Sequence, residues 1–306
     1  MNLNQTLIGD SLTILKIIPD ELVDCVVTSP PYWGLRDYGV PGQLGFEKTP
    51  EEYVEKMVEI FREVKRVLKK QGTLWLNLGD TYSTPQSHGN KKFGNEKLNK
   101  NRPSREKCVT PKRRIPKKLK SKNLVGIPWR VAFALQADGW YLRSDIIWSK
   151  SNPMPESVTD RPTKSHEYIF LISKAPKYFY DKEAVRDPGH NIRTVWTIAT
   201  QPYRESHFAT YPEKLVERCI KAGCPIGGIV LDPFIGSGTT AKVAIGLNRS
   251  WIGIELNPEY VKFIEKRLLI NHIPNPRRKV KGGILEKETN LRSYPGNFKR
   301  CKNRRE

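Results

Sequence analysis

The segment Ser29–Tyr32 carries residue types suited to chemistry on a planar aromatic amine. It follows the apolar run Val23–Thr28 and has the sequence Ser-Pro-Pro-Tyr. The two prolines fix their φ angles and lack N–H donors, so the carbonyls of Ser29 and Pro30 are held as directed acceptors, while Tyr32 supplies a flat apolar face. The sequence therefore predicts a pocket edge that can hold an NH2 group on an aromatic ring.

A second candidate site is the loop Asp232–Thr240, which follows an apolar strand and contains Gly236 and Gly238. Glycines here let the backbone approach a ligand closely, and Glu255 follows at about the spacing where an acid binds ribose hydroxyls. An acid beside a pyrophosphate is unfavourable, so Asp232 argues against NAD and favours a cationic nucleoside such as S-adenosylmethionine. The alternative is a glycine turn with a purely structural role.

Both segments need a sheet to position them. The hydrophobic pattern predicts strand, helix and strand in succession, which is typical of a parallel α/β fold. Thr49-Pro50-Glu51-Glu52 combines an N-cap, a proline at the first helical position and a capping-box glutamate, and Gly72 is expected to end that helix. Gly9-Asp10-Ser11 is expected to cap a first short helix. The predicted strands are 5–8, 23–28, 73–78, 140–148, 168–172, 228–231 and 251–254, and the other predicted helices are 127–137, 212–222 and 241–247.

The net charge of +21 is concentrated in two segments. Residues 86–123 hold 14 Lys and Arg against two acids, and residues 274–306 hold 11 against three, which leaves the remainder nearly neutral. Such segments suit a phosphate backbone, although solubilising or disordered segments are the alternative. We expect one α/β domain from residues 1–81 and 124–273, a basic insertion at 82–123 as the candidate target-recognition region, and a basic C-terminal tail.

The composition argues against several other classes of protein. No apolar run of about 18 residues and no charged-then-apolar leader is present, so a transmembrane helix and a signal peptide are not predicted. We expect a cytoplasmic, nucleoid-associated protein. The five cysteines form no C-x-x-C pair and the five histidines are scattered, so no metal site is predicted.

Together the motifs resemble those of S-adenosylmethionine-dependent DNA amino-methyltransferases of the permuted β class, in which the catalytic motif precedes the cofactor motif. Thr28-Ser29-Pro30-Pro31-Tyr32 resembles the catalytic motif, and Asp232–Gly238 resembles the first cofactor motif. Glu255 resembles the ribose-binding acid, and Gly9-Asp10-Ser11 a segment near the adenine of the cofactor. His207–Pro212 resembles the motif that closes the methionine end.

The resemblance implies a Rossmann-like α/β methyltransferase with a mixed, mostly parallel seven-stranded sheet flanked by helices, a circularly permuted motif order and one basic insertion. The catalytic residues are then Ser29, Pro30, Pro31 and Tyr32. Cofactor contacts are expected from Asp10, Ser11, Thr28, His207, Phe208, Pro212, Asp232, Pro233, Phe234, Gly236, Ser237, Gly238, Thr239, Glu255 and Leu256. DNA contacts are expected from Arg36, Lys112, Arg113, Arg114, Lys117 and Lys118.

The expected substrate is a base in double-stranded DNA, flipped into the pocket and stacked on Tyr32. A serine in the first catalytic position, with the extension Trp33–Gly39, resembles a subgroup that methylates N4 of cytosine. N6 of adenine is the alternative, since a serine hydroxyl can serve either amine. A cognate restriction endonuclease and a homodimer are further expected partners.

Other functions stay open at this point. RNA or a protein side chain is a further acceptor within methyl transfer. A non-catalytic nucleic-acid-binding protein with this fold is disfavoured by the intact Ser29–Tyr32 and Asp232–Gly238 segments. A nucleotide-dependent oxidoreductase is disfavoured by Asp232 and by the lack of a hydride-transfer constellation.

Overall fold

The computed structural model describes residues 1–35, 39–83, 119–201 and 210–270. Within them, eight strands form one sheet in the order β1-β8-β7-β2-β3-β5-β4-β6. The strands are β1 (Gln5–Ile8), β2 (Val23–Thr28), β3 (Leu68–Leu78), β4 (Tyr141–Ser149), β5 (His166–Ser173), β6 (Val195–Thr197), β7 (Ile229–Asp232) and β8 (Ser250–Glu255). The helices are α1 (Ser11–Leu15), α2 (Pro50–Val67), α3 (Ile127–Ala137), α4 (Glu213–Gly223), α5 (Thr239–Gly246) and α6 (Pro258–Ile270).

The sheet is mixed and mostly parallel, as predicted. Only β5 runs against its neighbours, pairing antiparallel with β3 and with β4, while the other neighbouring pairs are parallel. The described sheet has eight strands where seven were expected. The additional strand is β6, a three-residue edge strand paired with β4, and its Trp196 is buried in the core rather than available to a ligand.

Helices cover both faces of the sheet because its central strands are apolar on both sides. Val26 of β2 faces the core formed with α1, α2 and α3, whereas its neighbours Cys25 and Val27 face the core formed with α4, α5 and α6. Side chains of successive strand residues point to opposite faces, so one apolar run serves both layers. The whole segment Val23–Thr28 is buried except for Asp24, which is half-buried.

The helix starts follow the predicted capping chemistry. Asp10 is the N-cap of α1, and its carboxylate accepts a hydrogen bond from the Thr13 backbone N–H at 3.0 Å. Thr49 is the N-cap of α2, where its Oγ1 accepts from the Glu52 N–H at 3.1 Å. Glu52 in turn accepts from the Lys48 N–H at 2.9 Å, one residue before the N-cap.

Helix α2 ends earlier than the predicted stop at Gly72. Leu68 already has extended backbone angles and pairs with Val23 in the sheet, so the helix ends at Val67 and β3 begins at once. Gly72 instead lies tightly against Leu68, where an added Cβ would be 2.5 Å from the leucine Cγ. Gly72 therefore allows a close contact with Leu68 inside the strand. The hydrophobic pattern of the sequence did not indicate this contact.

The two ends of the basic insertion meet at one point of the α/β body. Tyr82 and Leu124 form an antiparallel bridge, and the Ser83 N–H donates to the Asn123 carbonyl at 2.8 Å. Asp80 accepts from the N–H groups of Gly126 and Ile127 at 3.0 Å, which fixes the start of α3 next to this stem. Most of the insertion and the tail from 271 onwards lie outside the described residues. In the described ranges no helix is long and apolar enough to cross a bilayer, and no cluster of metal-ligating side chains is found.

Candidate active site

Both sequence motifs line one cavity of about 840 Å³ at the carboxyl edge of the parallel strands. They meet there because β2 and β7 are direct parallel neighbours, with Cys25 opposite Val230 and Val26 opposite Leu231. The loops that follow these two strands therefore leave the sheet side by side, although about 200 residues separate them. The predicted residues that line the cavity are Asp10, Ser11, Ser29, Pro30, Pro31, Tyr32, Pro233, Phe234, Gly236, Ser237, Thr239, Glu255 and Leu256.

The segment Ser29–Tyr32 is held by a hydrogen bond within it and by one from α2. The Ser29 hydroxyl donates to Tyr32 Oη at 3.1 Å, and Tyr53 Oη donates to the Pro31 carbonyl at 2.9 Å. The Tyr32 ring lies against Gly79, where an added Cβ would be 2.6 Å from Tyr32 Cε2. Glycine is therefore the residue that lets the aromatic ring lie against the end of β3.

Three polar residues that the sequence analysis missed form a hydrogen-bonded group that includes the Tyr32 hydroxyl. Glu167 Oε2 accepts from Tyr32 Oη at 2.7 Å and from Asn77 Nδ2 at 3.2 Å. Lys150 Nζ donates to the other carboxylate oxygen, Glu167 Oε1, at 2.5 Å. All three residues line the cavity. In the sequence, each of these residues is a polar residue within or next to an apolar strand, and this was the signal that could have found them. They reach the same edge of the sheet only because β5 runs antiparallel to its neighbours.

Asp232 does not present its carboxylate to the cavity, in contrast to the expected ion pair with a cationic ligand. The residue is 1% exposed and accepts hydrogen bonds from Thr28 Oγ1 at 2.7 Å, Tyr211 Oη at 2.7 Å, Thr240 Oγ1 at 2.6 Å and the Phe234 N–H at 3.1 Å. Burial raises the pKa of Asp232, and these donors oppose that shift. Asp232 is therefore the centre of a hydrogen-bond network. This network joins β2, the segment just before α4, and α5 to the glycine loop.

Glu255 ends β8 at the wall of the cavity. Its carboxylate accepts from the Gly236 N–H and from the Asn257 N–H, both at 2.9 Å. Burial raises the pKa of Glu255 from 4.5 to about 7, and the backbone donors oppose this shift. A carboxylate with lone pairs still directed at a cavity can accept hydroxyl groups of a ligand.

Ser11 joins the first turn of α1 to the same loop. Its hydroxyl is buried and donates to the Pro233 carbonyl at 2.7 Å. Asp10 both caps α1 and lines the cavity. The predicted role of this segment beside the cofactor loop is therefore compatible with where the two residues lie.

A buried guanidinium, also missed from the sequence, holds the glycine loop from behind. Arg267 of α6 is 8% exposed, and its Nη1 donates to the Ser237 carbonyl at 3.2 Å and to the hydroxyls of Ser237 and Thr239, both at 3.0 Å. Its Nη2 donates to Glu213 Oε1 at 3.0 Å, and Lys242 Nζ donates to the same oxygen at 2.7 Å. Helices α4, α5 and α6 are thus tied to one turn of the loop.

The remaining predicted residues either lie away from the cavity wall or belong to segments outside the described ranges. Thr28 and Asp232 are buried behind it, Pro212 is the N-cap of α4, and Gly238 is the N-cap of α5 with φ 79°. An added Cβ at Gly238 would be 2.9 Å from Ile264 Cγ2, so this glycine serves helix packing. The predicted His207, Phe208, Arg36, Lys112, Arg113, Arg114, Lys117 and Lys118 lie outside the described residues.

A mostly parallel sheet whose carboxyl edge holds a glycine loop, a buried acid at the end of the next strand and a rigid Ser-Pro-Pro-Tyr segment is typical of α/β enzymes that use a nucleoside cofactor. The family model for DNA methylases of the N6/N4 type matches residues 23–266. The chain belongs to this N6/N4 DNA methylase family and is an S-adenosylmethionine-dependent DNA methyltransferase.

Several known proteins are similar to the chain over most of its length. The type II methyltransferase M.XycI of Xanthomonas campestris pv. cyanopsidis is 52% identical over 265 residues, which cover 85% of this chain and 86% of that protein. The type II methyltransferase M.SmaI of Serratia marcescens is 49% identical over 270 residues, covering 86% and 90%. Among solved structures, the cytosine-N4-specific PvuII DNA methyltransferase has a TM-score of 0.67 at 23% identity, covering 88% of this chain and 87% of that one. The M1.HpyAVI–SAM complex has a TM-score of 0.56 at 20% identity, covering 86% and 98%.

The residues of the cavity fit S-adenosylmethionine. Glu255 supplies an acceptor for hydroxyl groups, and Phe234 and Phe263 supply apolar walls. The lining segment 233–237 carries no basic side chain for a pyrophosphate, which agrees with a phosphate-free nucleoside. A volume of about 840 Å³ leaves room for a second planar group beside the cofactor.

Proposed function

We propose that the chain transfers a methyl group to the exocyclic N4 of a cytosine flipped out of double-stranded DNA. The observation that carries the choice of cytosine is Ser29 in the first catalytic position, with its Oγ on the cavity wall and 3.1 Å from Tyr32 Oη. The cytosine-N4-specific name of the PvuII enzyme supports this choice only through a shared fold.

In this proposal the Ser29 Oγ and the Pro30 carbonyl accept the two hydrogens of the target amine. Withdrawing these hydrogens makes the nitrogen more electron-rich, so that catalysis is largely a matter of positioning. Tyr32 stacks on the flipped base and offsets its lost stacking in the duplex. Gly79 lies against the Cδ2 and Cε2 atoms of the ring.

The bound cofactor supplies a methyl group on a sulfonium, and the glycine-loop side of the cavity would hold it. Glu255 accepts the ribose hydroxyls, Asp10 and Ser11 lie where the adenine is expected, and Pro233 and Phe234 form an apolar wall. Asp232 acts indirectly in this proposal: it holds the loop in place through its four donors.

The target base can be tested by methylating DNA with the purified protein, digesting it to nucleosides and separating the products by mass spectrometry. N4-methylcytosine is expected. N6-methyladenine as the sole product would show the alternative specificity, and the absence of any methylated nucleoside would overturn methyl transfer to DNA.

The roles of the catalytic segment have a separate test. Ser29→Ala and Tyr32→Ala should each abolish methylation while S-adenosylmethionine binding, measured by calorimetry, stays close to that of the unmodified protein. The hydrogen bonds described for these side chains lead to Asn77 and Glu167 and not to the cofactor loop, so loss of cofactor binding in both variants would refute these roles.

We also propose that the insertion at 82–123 recognises the target sequence. The insertion is basic, and its two ends meet in a stem beside β3 and α3. It therefore leaves the α/β body next to the segment Ser29–Tyr32. Replacing residues 86–118 by a short glycine-serine linker leaves this stem in place. Loss of discrimination at particular base positions would support recognition, whereas equal weakening of binding to all sequences would indicate phosphate clamping alone.

The relatives are called type II methyltransferases, and on that ground we propose that the chain acts in a restriction-modification system with a cognate endonuclease. Methylation-sensitive sequencing of DNA from cells that express it would give the modified site. Cleavage of that DNA by endonucleases specific for the same site should then be blocked. Unprotected DNA at a fully methylated site would contradict a protective role.

A further inference from the structure

Methylation of an amine requires a proton acceptor. The nitrogen begins with two hydrogens and ends with one hydrogen and one methyl group, so one proton has to leave the pocket. The proposed acceptors of the amine hydrogens, a serine hydroxyl and a backbone carbonyl, are weak bases. A stronger base beyond these two groups therefore has to take the proton.

The hydrogen bonds around Tyr32 run in one direction. Its single hydroxyl proton can go to Asn77 Oδ1 at 3.1 Å or to Glu167 Oε2 at 2.7 Å, and the shorter contact to the charged carboxylate is the stronger. With that proton committed, the contact of 3.1 Å between Ser29 Oγ and Tyr32 Oη has Ser29 as the donor. Ser29 Oγ therefore offers a lone pair, and not its proton, towards the cavity.

The end of this chain of hydroxyls is a stabilised carboxylate. Lys150 Nζ lies 2.5 Å from Glu167 Oε1, and Asn77 Nδ2 lies 3.2 Å from Glu167 Oε2. The Lys150 ammonium also lies 4.9 Å from the centre of the Trp148 ring. The side chains of Lys150 and Glu167 are only 21% and 16% exposed, so this ion pair is largely shielded from solvent. From Ser29 to Glu167, the Tyr32–Glu167 contact of 2.7 Å is a short hydrogen bond, and the Ser29–Tyr32 contact of 3.1 Å is at the long end of the hydrogen-bond range.

We infer that Glu167 is the terminal acceptor of the proton released from the target amine, which it receives through Ser29 and Tyr32. The nitrogen lone pair forms the N–C bond, and the electrons of the methyl–sulfur bond remain on sulfur. One N–H proton moves to Ser29 Oγ, the serine proton moves to Tyr32 Oη, and the tyrosine proton moves to Glu167. The products are the methylated amine, a neutral thioether and a protonated Glu167, which returns its proton to solvent at the cavity mouth.

In this scheme Lys150 forms an ion pair with Glu167, and Asn77 keeps the carboxylate oriented. Both are positioning residues. The relay rests on the proposed function, because it takes an amine hydrogen as bound to Ser29 Oγ. It does not depend on whether the amine belongs to cytosine or adenine, since both lose one proton on methylation.

The test compares single-turnover methylation rates of the whole protein with those of Glu167→Gln, Tyr32→Phe and the double variant. Glutamine keeps an oxygen for the Tyr32 hydrogen bond but cannot take a proton, and phenylalanine keeps the stacking ring but breaks the relay. Each single variant should lose about 100-fold in rate, the lower range for general acid–base catalysis. The double variant should lose no more than either single variant, because both changes break one chain.

A second readout separates a relay from mere support of the Tyr32 ring. The charged and titratable groups around Glu167 are Tyr32, Lys150, Lys164 and His166. Protonation of Glu167 reverses the hydrogen-bond chain, so the rate of the unmodified protein should fall on the acid side, and this fall should vanish in Glu167→Gln. His166 also titrates, and a His166→Asn variant that keeps the acid fall excludes it as the source.

The outcomes are distinct. An unchanged rate in Glu167→Gln or in Tyr32→Phe, multiplicative losses in the double variant, or an acid fall that persists without Glu167 would each overturn the relay. S-adenosylmethionine binding and 2-aminopurine fluorescence of a flipped target base should stay normal in Tyr32→Phe, which keeps the test valid if Glu167→Gln folds poorly. If the unmodified protein methylates no DNA, the proposed function fails instead of the relay.

Discussion

Replacing Glu255 by glutamine should separate two effects of this buried carboxylate: its destabilisation of the folded protein and its contribution to S-adenosylmethionine binding. Glu255 is 9% exposed, and burial raises its pKa from 4.5 to about 7. In the unfolded chain this carboxyl ionises near its ordinary pKa, so between about pH 4.5 and 7 the folded protein holds a proton that the unfolded chain has lost. The free energy of unfolding of the cofactor-free protein therefore falls as the pH rises through this window.

The size of the effect follows from the two pKa values. A rise from 4.5 to about 7 corresponds to about 3 kcal/mol at pH 8, because each tenfold change in proton affinity is worth about 1.4 kcal/mol. Glutamine avoids this cost but is a weaker acceptor for the Gly236 and Asn257 N–H groups. We therefore expect Glu255→Gln to stabilise the cofactor-free protein by about 1–2 kcal/mol at pH 8. At pH 5 this gain should be about 2.5 kcal/mol smaller, because the carboxyl is then largely protonated in the folded state, so the variant should be about 0.5–1.5 kcal/mol less stable than the unmodified protein.

Urea denaturation at pH 5 and pH 8 without cofactor measures the stability, and calorimetry at pH 8 measures S-adenosylmethionine binding. The same variant should bind the cofactor about 10- to 100-fold more weakly, since charge-assisted hydrogen bonds to the ligand are lost. Glu259→Gln, at an exposed position of α6, removes the same charge as a matched control. A Glu255→Gln protein that is less stable than the unmodified protein at pH 8, or that binds the cofactor equally well, would refute the reasoning.

Three further predictions concern the supports of the site. Gly79→Ala should displace the Tyr32 ring, because the new Cβ would lie 2.6 Å from Cε2, and the single-turnover rate should fall by about 100-fold. The control Gly246→Ala, where the space around the added Cβ is open, should leave the rate unchanged. Arg267→Met should raise the dissociation constant for S-adenosylmethionine by about tenfold, because the guanidinium supports the glycine loop behind the cavity. The rate at saturating cofactor should stay the same. Steady-state kinetics with unchanged cofactor binding and a lower rate would contradict this role. Asp232→Asn should lower the free energy of unfolding in urea by about 1–3 kcal/mol, because the amide directs a donor at buried hydroxyls; an unchanged stability would show that the network tolerates an amide.

Much of the fold could be predicted because it depends on short-range physics. The strands Gln5–Ile8 and Val23–Thr28 and the helix Ile127–Ala137 have the predicted bounds, since apolar periodicity within one element determines which face is buried. The N-caps Asp10 and Thr49 could also be predicted, because a capping side chain bonds to a backbone N–H only a few residues away. The early end of α2 was missed because Leu68 pairs with a strand more than 40 residues earlier in the chain.

Part of the candidate site was accessible in the same way. Ser29–Tyr32 and the glycine loop were found from residue types alone, and both segments line the cavity. The carboxylate of Asp232 lies behind the cavity and does not face it, because it accepts four hydrogen bonds, two of them from Thr28 and Tyr211 of other elements. Burial and pairing of a charge are properties of the packed structure.

By itself the sequence determined the chemical parts: a rigid serine and tyrosine beside two prolines, an acid-bearing glycine loop, and positive charge confined to two segments. Only the tertiary structure decided which parts meet. The placement of β7 beside β2 joins the two motifs, and the reversed β5 brings Glu167 to the hydroxyl of Tyr32, 135 residues earlier in the chain. Strand order results from many non-local contacts that form together, so no local pattern along the chain encodes it.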